Sequence, residues 1–244
     1  MSRFSYGALA VLIFFAGIIV QMPATVLVGT VQELSHQRLA FGDVRGTIWS
    51  GQALLTCVRP DGSSERCGDW KWSFVPDDLF KGRLNWRLTG SAPAESGVIS
   101  LSTTGVSFES LSATLPAFLV ANLDPKLAAL QLGGRLHVDA KQLATKNGRI
   151  DILWKNFSSG LVPLIHLGEI TLILIPAPQG WSLGLSSGLG SGPVSLSGEG
   201  HVDSEGRLVL STTVTVGSDR IALAPLLGAL GEESGPSVYR LQLP

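Results

Sequence analysis

Apolar and polar residues alternate with a period of two in many stretches of the chain. The clearest stretches are 83–88, 135–140, 181–186, 208–216 and 239–243. This alternation is typical of strands that bury one face and expose the other, as antiparallel strands do. The stretch 169–175 is apolar at more of its positions, which favours a strand that is covered on both faces.

Turn-forming residues separate these stretches, at 59–62, 146–148, 178–180 and 203–206. Asn-Gly and similar pairs supply the positive φ that tight hairpins need. Between Leu101 and Val106 the apolar positions change parity at Gly105. An extra residue in one strand would produce that change, so the sequence predicts a β-bulge at this glycine.

Helical spacing is confined to three short apolar segments that contain or follow proline, at 23–34, 115–123 and 223–231. Proline is tolerated in the first turn of a helix. Each segment is expected to cover an open end or edge of a sheet. The predicted fold class is therefore all-β: a twisted, mainly antiparallel sheet folded on itself, with a few short helices.

The N-terminal segment adds one further helix to this prediction. No charged side chain lies between Arg3 and Glu33, and the run from Phe4 to Met22 is almost wholly apolar. That length is close to the roughly 20 residues that cross a bilayer core. We expect residues 1–24 to form a transmembrane anchor with Arg3 on the cytoplasmic side. A cleaved signal peptide is the alternative, and both interpretations export residues 25–244.

Cys57 and Cys67 enclose a short, polar, turn-rich loop. In an oxidising compartment this spacing favours a disulfide bond that closes a hairpin. Two free buried thiols are the alternative. A metal site is a poor explanation, because two thiolates are too few ligands and no histidine is nearby in sequence.

The composition excludes some classes of function. The chain has 45% hydrophobic and 15% charged residues, with a net charge of −1. Its cations are scattered, whereas a nucleic-acid-binding protein usually carries a basic stripe, so no nucleic-acid partner is predicted. His36, His137, His166 and His201 share no metal-ligand spacing, so no metal or other cofactor is expected.

Two motifs suggest catalysis only superficially. Gly184, Ser186 and Gly188 match a hydrolase nucleophile pattern, but glycines and a proline follow where that motif requires a helix. Asp77 and Asp78 follow Pro76, so they are expected to start a short helical turn. The sequence therefore predicts no catalytic residue and no enzymatic activity.

The tryptophans are expected to be mostly core residues, because indole rings bury a large apolar area. Trp70 and Trp72 lie two positions apart, which places them on the same face of a strand just after the cysteine loop. They are the candidate contact patch. Similar motifs near Gly46 and Gly134 also suggest two related β units, about 25–113 and 114–244.

Several motifs in this order resemble one known family. They are Val44-Arg45-Gly46-Thr47-Ile48-Trp49-Ser50-Gly51-Gln52-Ala53, Trp70-Lys71-Trp72, Pro76-Asp77-Asp78-Leu79-Phe80-Lys81-Gly82-Arg83-Leu84, Leu115-Pro116-Ala117, Leu132-Gly133-Gly134-Arg135-Leu136, Trp154 and Pro163-Leu164-Ile165-His166-Leu167-Gly168. Together they resemble the N component of the bacterial type II secretion system, the general secretory pathway protein N family.

The resemblance implies a non-enzymatic accessory protein that assists the export of folded proteins. It implies a single-pass protein of the bacterial inner membrane, with a cytoplasmic N-terminus and a periplasmic domain. Its partners would be other secretion-system proteins and the inner membrane. The family supplies no motif that names contact residues.

A periplasmic lipid-binding or lipid-transfer protein with a β-sheet groove is the alternative function. The sheet face decides between the two hypotheses. A closed core would exclude the groove, whereas an open apolar cavity would favour it. The residues that carry this distinction are Leu84, Trp86, Leu88, Leu136 and Val138.

Overall fold

The computed structural model describes most of the chain beyond residue 12. The described residues are 13–15, 17–35, 37–59, 61–92, 94–103, 105–122, 125–143, 148–162, 167–187, 192–203, 207–216, 220–230, 232–235 and 238–243.

Fourteen strands in the described residues form one antiparallel sheet. The first twelve strands follow each other in sequence order across the sheet, and the order ends β12-β14-β13. The strands are β1 (Leu39–Gly46), β2 (Ser50–Val58), β3 (Ser64–Val75), β4 (Leu84–Thr89), β5 (Ser96–Ser102), β6 (Gly105–Pro116), β7 (Leu132–Lys141), β8 (Arg149–Ser159), β9 (Gly168–Ala177), β10 (Gly180–Ser187), β11 (Val194–Asp203), β12 (Leu208–Val216), β13 (Glu232–Gly235) and β14 (Val238–Leu243).

Short helices connect or flank these strands. They are α1 (Thr25–Leu34), the 3₁₀ helices η1 (Pro76–Lys81) and η2 (Ala117–Asn122), α2 (Pro125–Ala129) and α3 (Arg220–Leu230). Helix α1 contacts β1, and η2 with α2 joins β6 to β7. The all-β prediction with few short helices is confirmed, and the sheet is antiparallel throughout its described pairs.

Two local predictions differ from the structure. Gly105 does not form a β-bulge, because β5 ends at Ser102 and β6 begins at Gly105. The change of parity comes from a hairpin turn, in which Leu101 pairs with Val106. Strand β9 is also not covered on both faces along its whole length, since Ile175 is 48% exposed.

One face of the sheet carries the apolar side chains from strand to strand. For example, the register pairs Leu115 with Leu136, Leu136 with Trp154 and Trp154 with Ile170. Residues opposite each other in antiparallel strands point to the same face, so the alternation in each strand adds up to one apolar surface.

The main hydrophobic core covers this apolar face in the C-terminal part of the sheet. Leu127 of α2 and Leu223 and Leu227 of α3 belong to the same buried cluster as Trp154 and Val214. Leu223 and Val214 are both 0% exposed. The helices therefore stabilise the sheet by removing its apolar surface from water.

The same face is less well covered in the N-terminal part. Ala53 and Leu55 of β2 are buried, whereas Leu84, Trp86 and Leu88 of β4 are only half-buried. The apolar face of this continuous sheet is therefore more buried in its C-terminal part than in its N-terminal part.

Residues in β-bulges shape the strands locally. At Gly134 the register of β7 and β8 shifts, and the residue has a φ of +106°. A Cβ atom there would lie 2.6 Å from the backbone oxygen atoms of Lys155 and Asn156. Only glycine fits this combination of positive φ and close backbone approach.

The predicted anchor over residues 1–24 lies in part outside the described residues, which begin at 13. Residues 13–15 and 17–20 are helical, with exposed apolar side chains that include Ile13, Phe14 and Val20. Among the described helices, none has both the length and the apolar character required to cross a bilayer. The boundary proposed near residue 113 falls inside β6, and the kinship of the two halves stays a prediction.

Candidate functional site

The hairpin of β2 and β3 contains the two cysteines. The structure joins Cys57 and Cys67 by a disulfide bond, with 5.8 Å between their Cα atoms. Thr56 pairs with Arg66 and Leu55 with Gly68, so Cys67 is the extra residue of a β-bulge. Cys57 is 0% exposed. The bulge thus places Cys67 within bonding reach of a buried strand position.

The tip of this hairpin is held by polar contacts. Arg59 Nη2 lies 2.7 Å from Glu65 Oε2. The Ser63 hydroxyl and backbone N–H both donate to Asp61 Oδ1, at 2.6 and 2.8 Å. These hydrogen bonds favour the ionised carboxylate and lower the pKa of Asp61 below its ordinary value.

Arg59 also connects the hairpin to Phe118 of η2. Its guanidinium carbon lies 4.3 Å from the centre of the Phe118 ring, a cation–π arrangement. A cleft of about 260 Å³ lies between this hairpin and the end of β6 with the start of β7, and the residues that line it include Arg66, Cys67 and Arg135. Because these contacts link β2 and β3 with the end of β6, the sheet curves in this region.

Trp70 and Trp72 are both half-buried and lie two positions apart in β3, on the same face of the strand as predicted. Trp72 Nε1 donates to the backbone oxygen of Thr47 at 2.9 Å. Its ring also covers Gly51, which pairs with it across β2 and β3. Trp72 therefore closes the β1–β2 turn, and contact of either tryptophan with a partner stays a prediction.

Three other aromatic residues form a cluster that sequence reasoning did not identify. The ring of Trp49 lies 5.0 Å from that of Phe74 and 6.1 Å from that of Trp86, between ring centres. Phe74 and Trp86 are a cross-strand pair of β3 and β4. The signal was present in the sequence, but it becomes visible only once the register of these strands is known.

This aromatic cluster joins the N-terminal segment to the sheet. Trp49 Nε1 donates to the backbone oxygen of Ile19 at 2.9 Å, and Trp86 Nε1 donates to that of Ile48 at 2.9 Å. The backbone N–H of Ile48 in turn donates to Met22 O at 3.0 Å. The apolar N-terminal residues are thereby fixed to the end of β1 and β2.

A second cleft lies beside this junction. It has a volume of about 490 Å³, and its cationic lining residues are Arg45, Lys71 and Arg87. Arg45 pairs with Gln52, and Gln52 pairs with Lys71, so the charges follow a row across neighbouring strands. None of the described residues that line this cleft carries a carboxylate. It is suited to hold an anionic group.

Those residues considered for catalysis that the structure describes are not assembled into a site. Gly184 and Ser186 lie within β10 rather than on a turn before a helix, and Gly188 is outside the described residues. Asp77 and Asp78 lie in the first turn of η1, a short helical turn as predicted. Asp78 accepts hydrogen bonds from Lys81 and Asn85, which lower its pKa.

The two histidines in the described residues lie on different strands, β7 and β11. The Nδ1 atom of His137 lies 3.1 Å from the Thr114 hydroxyl oxygen, and His201 is exposed on β11. His36 and His166 lie outside the described residues. In the part of the chain that the structure describes, no three His, Cys, Asp or Glu side chains are grouped to bind a metal.

Comparison with known protein families decides the identity. Residues 37–242 match the family model described as type II secretion system (T2SS), protein N. The chain belongs to this family. The family membership expected from the sequence motifs is confirmed, and members of this family are components of the secretion machinery. No curated protein and no solved structure gives a significant match to this T2SS protein N family member.

Proposed function

We propose that this protein is a non-catalytic accessory scaffold of the type II secretion machinery, tethered to the inner membrane with its sheet in the periplasm. The observation that carries the proposal is the family match, which extends over nearly the whole sheet. The anchoring part of the proposal is supported by the apolar run of residues 4–22 and by the hydrogen bonds that fix its end to β1 and β2.

A scaffold of this kind requires a surface that another protein can contact. Among the described strands, β1 pairs only with β2 and lies at one edge of the sheet, where Ala24 N–H donates to Gly46 O at its end. Exposed strand edges accept further strands by backbone hydrogen bonding. Helix α1 contacts β1 and exposes Val26, Leu27 and Val31 at 46%, 42% and 41%. The β1 edge together with α1 is our proposed protein-binding surface.

Site-specific photocrosslinking in intact cells tests this proposal. Photoreactive residues at Val31 on α1 and Val44 on β1 are expected to capture other secretion-system components. Thr213 is the matched control, because it is exposed on β12, a strand that is paired on both sides. Capture from Thr213 alone, or no secretion component captured from Val31 and Val44, would contradict the proposal.

The lipid-groove alternative retains one supporting observation. Leu136 is 7% exposed and Val138 packs against the same core, which opposes a groove in the C-terminal part. Leu84, Trp86 and Leu88 are only half-buried, so the N-terminal part leaves apolar surface accessible. A photoreactive residue at Leu88 that captures phospholipid, while Val31 and Val44 capture no protein, would favour lipid binding over the scaffold.

A further inference from the structure

The η1 turn presents an apolar tip. Phe80 is fully exposed, at 101%, and its neighbour Leu79 is 46% exposed. Single exposed apolar residues are common on protein surfaces, whereas large contiguous apolar patches mark interaction sites. Two exposed apolar residues flank the next turn at this end, which joins β5 and β6: Leu101 of β5 is 39% exposed and Val106 of β6 is 60% exposed.

These turns lie at the same end of the sheet as the N-terminal apolar segment. In an antiparallel meander, every second turn is at the same end. The β1–β2 turn, η1 and the β5–β6 turn alternate in this way with the turns at the opposite end. The aromatic cluster connects the N-terminal segment and the β1–β2 turn with strands β3 and β4, because Trp49 contacts Ile19 on one side and Phe74 and Trp86 on the other.

The opposite end of these strands has a different character. The described residues of the β2–β3 and β4–β5 turns are small, polar or charged, and they include Asp61, Ser63, Ser91 and Ala94. An apolar fringe at this end of strands β1 to β6 suits contact with a lipid surface from that side.

The charges around the tip indicate how such a contact would be stabilised. Lys81 Nζ and Arg83 Nη2 lie 2.7 and 3.2 Å from the carboxylate of Asp78, and Asp77 balances the remaining positive charge. The tip is therefore nearly neutral, and burial of its apolar side chains would dominate the contact. Arg45 and Arg87 line the neighbouring cleft, where long cationic side chains can reach phosphate groups.

We infer that the apolar tip at Leu79 and Phe80 inserts into the interfacial layer of the bilayer that holds the N-terminal segment. The occupant is a lipid surface, because the exposed apolar helical residues 13–15 and 17–20 leave the domain at this same end. The inference rests on the proposed membrane anchoring. It adds a second attachment, which fixes the orientation of the sheet relative to the membrane.

Spin labels on the full-length chain in vesicles test this inference. Cysteine is introduced by Phe80→Cys or, as a matched control, by Ala94→Cys on the exposed β4–β5 turn. Neither change touches the core, since both positions are exposed. The collision rate of each nitroxide with oxygen, which concentrates in lipid, is compared with that of a water-soluble nickel chelate. The vesicles contain phosphatidylethanolamine with phosphatidylglycerol or, separately, phosphatidylcholine alone.

The label at position 80 is expected to favour oxygen in both kinds of vesicle, whereas the label at position 94 favours the nickel chelate. Equal exposure of both labels to the chelate would overturn the inference. A label at position 80 that is shielded only when other secretion proteins are added would also overturn it, because the tip would then be a protein-binding surface.

The outcome is independent of the crosslinking experiment. Lipid contact at position 80 without captured secretion components would retain the membrane attachment and reject the scaffold function. Captured components with a water-exposed tip would do the reverse.

Discussion

Removal of the disulfide bond between Cys57 and Cys67 is expected to lower the free energy of unfolding. The two residues are separated by 10 positions in sequence. For a closed loop of that length, the chain-entropy relation gives about 2.7 kcal/mol at room temperature. In a domain of this size, such a loss lowers the melting temperature by about 5–10 °C.

Two ways of removing the bond are compared, mutation and chemical reduction. The double variant Cys57→Ala, Cys67→Ala leaves no unpaired thiol, and alanine avoids a buried hydroxyl at position 57, which is 0% exposed. Chemical reduction of the natural chain removes the bond and keeps both sulfur atoms. The difference between the two isolates the effect of the missing sulfur atoms on packing.

The assay is urea unfolding of the full-length chain in detergent micelles, followed by tryptophan fluorescence, with and without reductant. Reductant should lower the midpoint for the natural chain and leave the double variant unchanged. Alkylation of the freed thiols verifies that reduction is complete. An unchanged midpoint after complete reduction would refute the reasoning, because it would mean that the bond does not restrict the unfolded chain.

Three further predictions concern packing and charge. Leu223→Ala should lower the free energy of unfolding, measured with urea, by about 2–5 kcal/mol, because Leu223 is 0% exposed. Ile221 on the same helix is 93% exposed, so Ile221→Ala should change this free energy by less than about 0.5 kcal/mol. Gly51→Ala should lower the free energy of unfolding by about 1–3 kcal/mol, because the new Cβ atom would lie 2.5 Å from Arg45 O. Gly42→Ala is the control and should be tolerated, because its Cβ atom would lie 3.9 Å from Leu54 Cδ2. Equal melting temperatures of the two variants would refute this. The pKa of Asp78 is below its ordinary value of 3.8, so its stabilising effect is present above that pH and is lost as the pH falls through the lowered pKa. Asp78→Asn should therefore destabilise the protein at neutral pH and make no difference in strong acid, as measured by melting temperature across pH.

The sheet was largely predictable because alternation is a local signal. Strands β4, β7, β10, β12 and β14 were each visible as apolar residues at every second position. Local spacing also located α1 and α3, although the segment at 115–123 begins as the end of β6 before it turns into η2.

The interactions that depend on register were not predictable. Trp49, Phe74 and Trp86 come together only because β3 and β4 pair in one particular alignment. The sequence also does not distinguish a bulge from a tight turn at Gly105, because both shift the apolar positions in the same way. The cationic cleft of Arg45, Lys71 and Arg87 gathers residues from three strands that no single stretch of sequence reveals.

The strand order has a consequence for how the chain folds. From β1 to β12, each strand finds its partner in the next segment of the sequence, so loop closure costs little entropy at each step. A chain released with its N-terminus first can therefore add strands one at a time as they are delivered. The last step differs, because β14 lies between β12 and β13. The growing edge at β12 must stay unoccupied until the final hairpin arrives, and this is the interval in which the nascent sheet is most exposed to pairing with another chain.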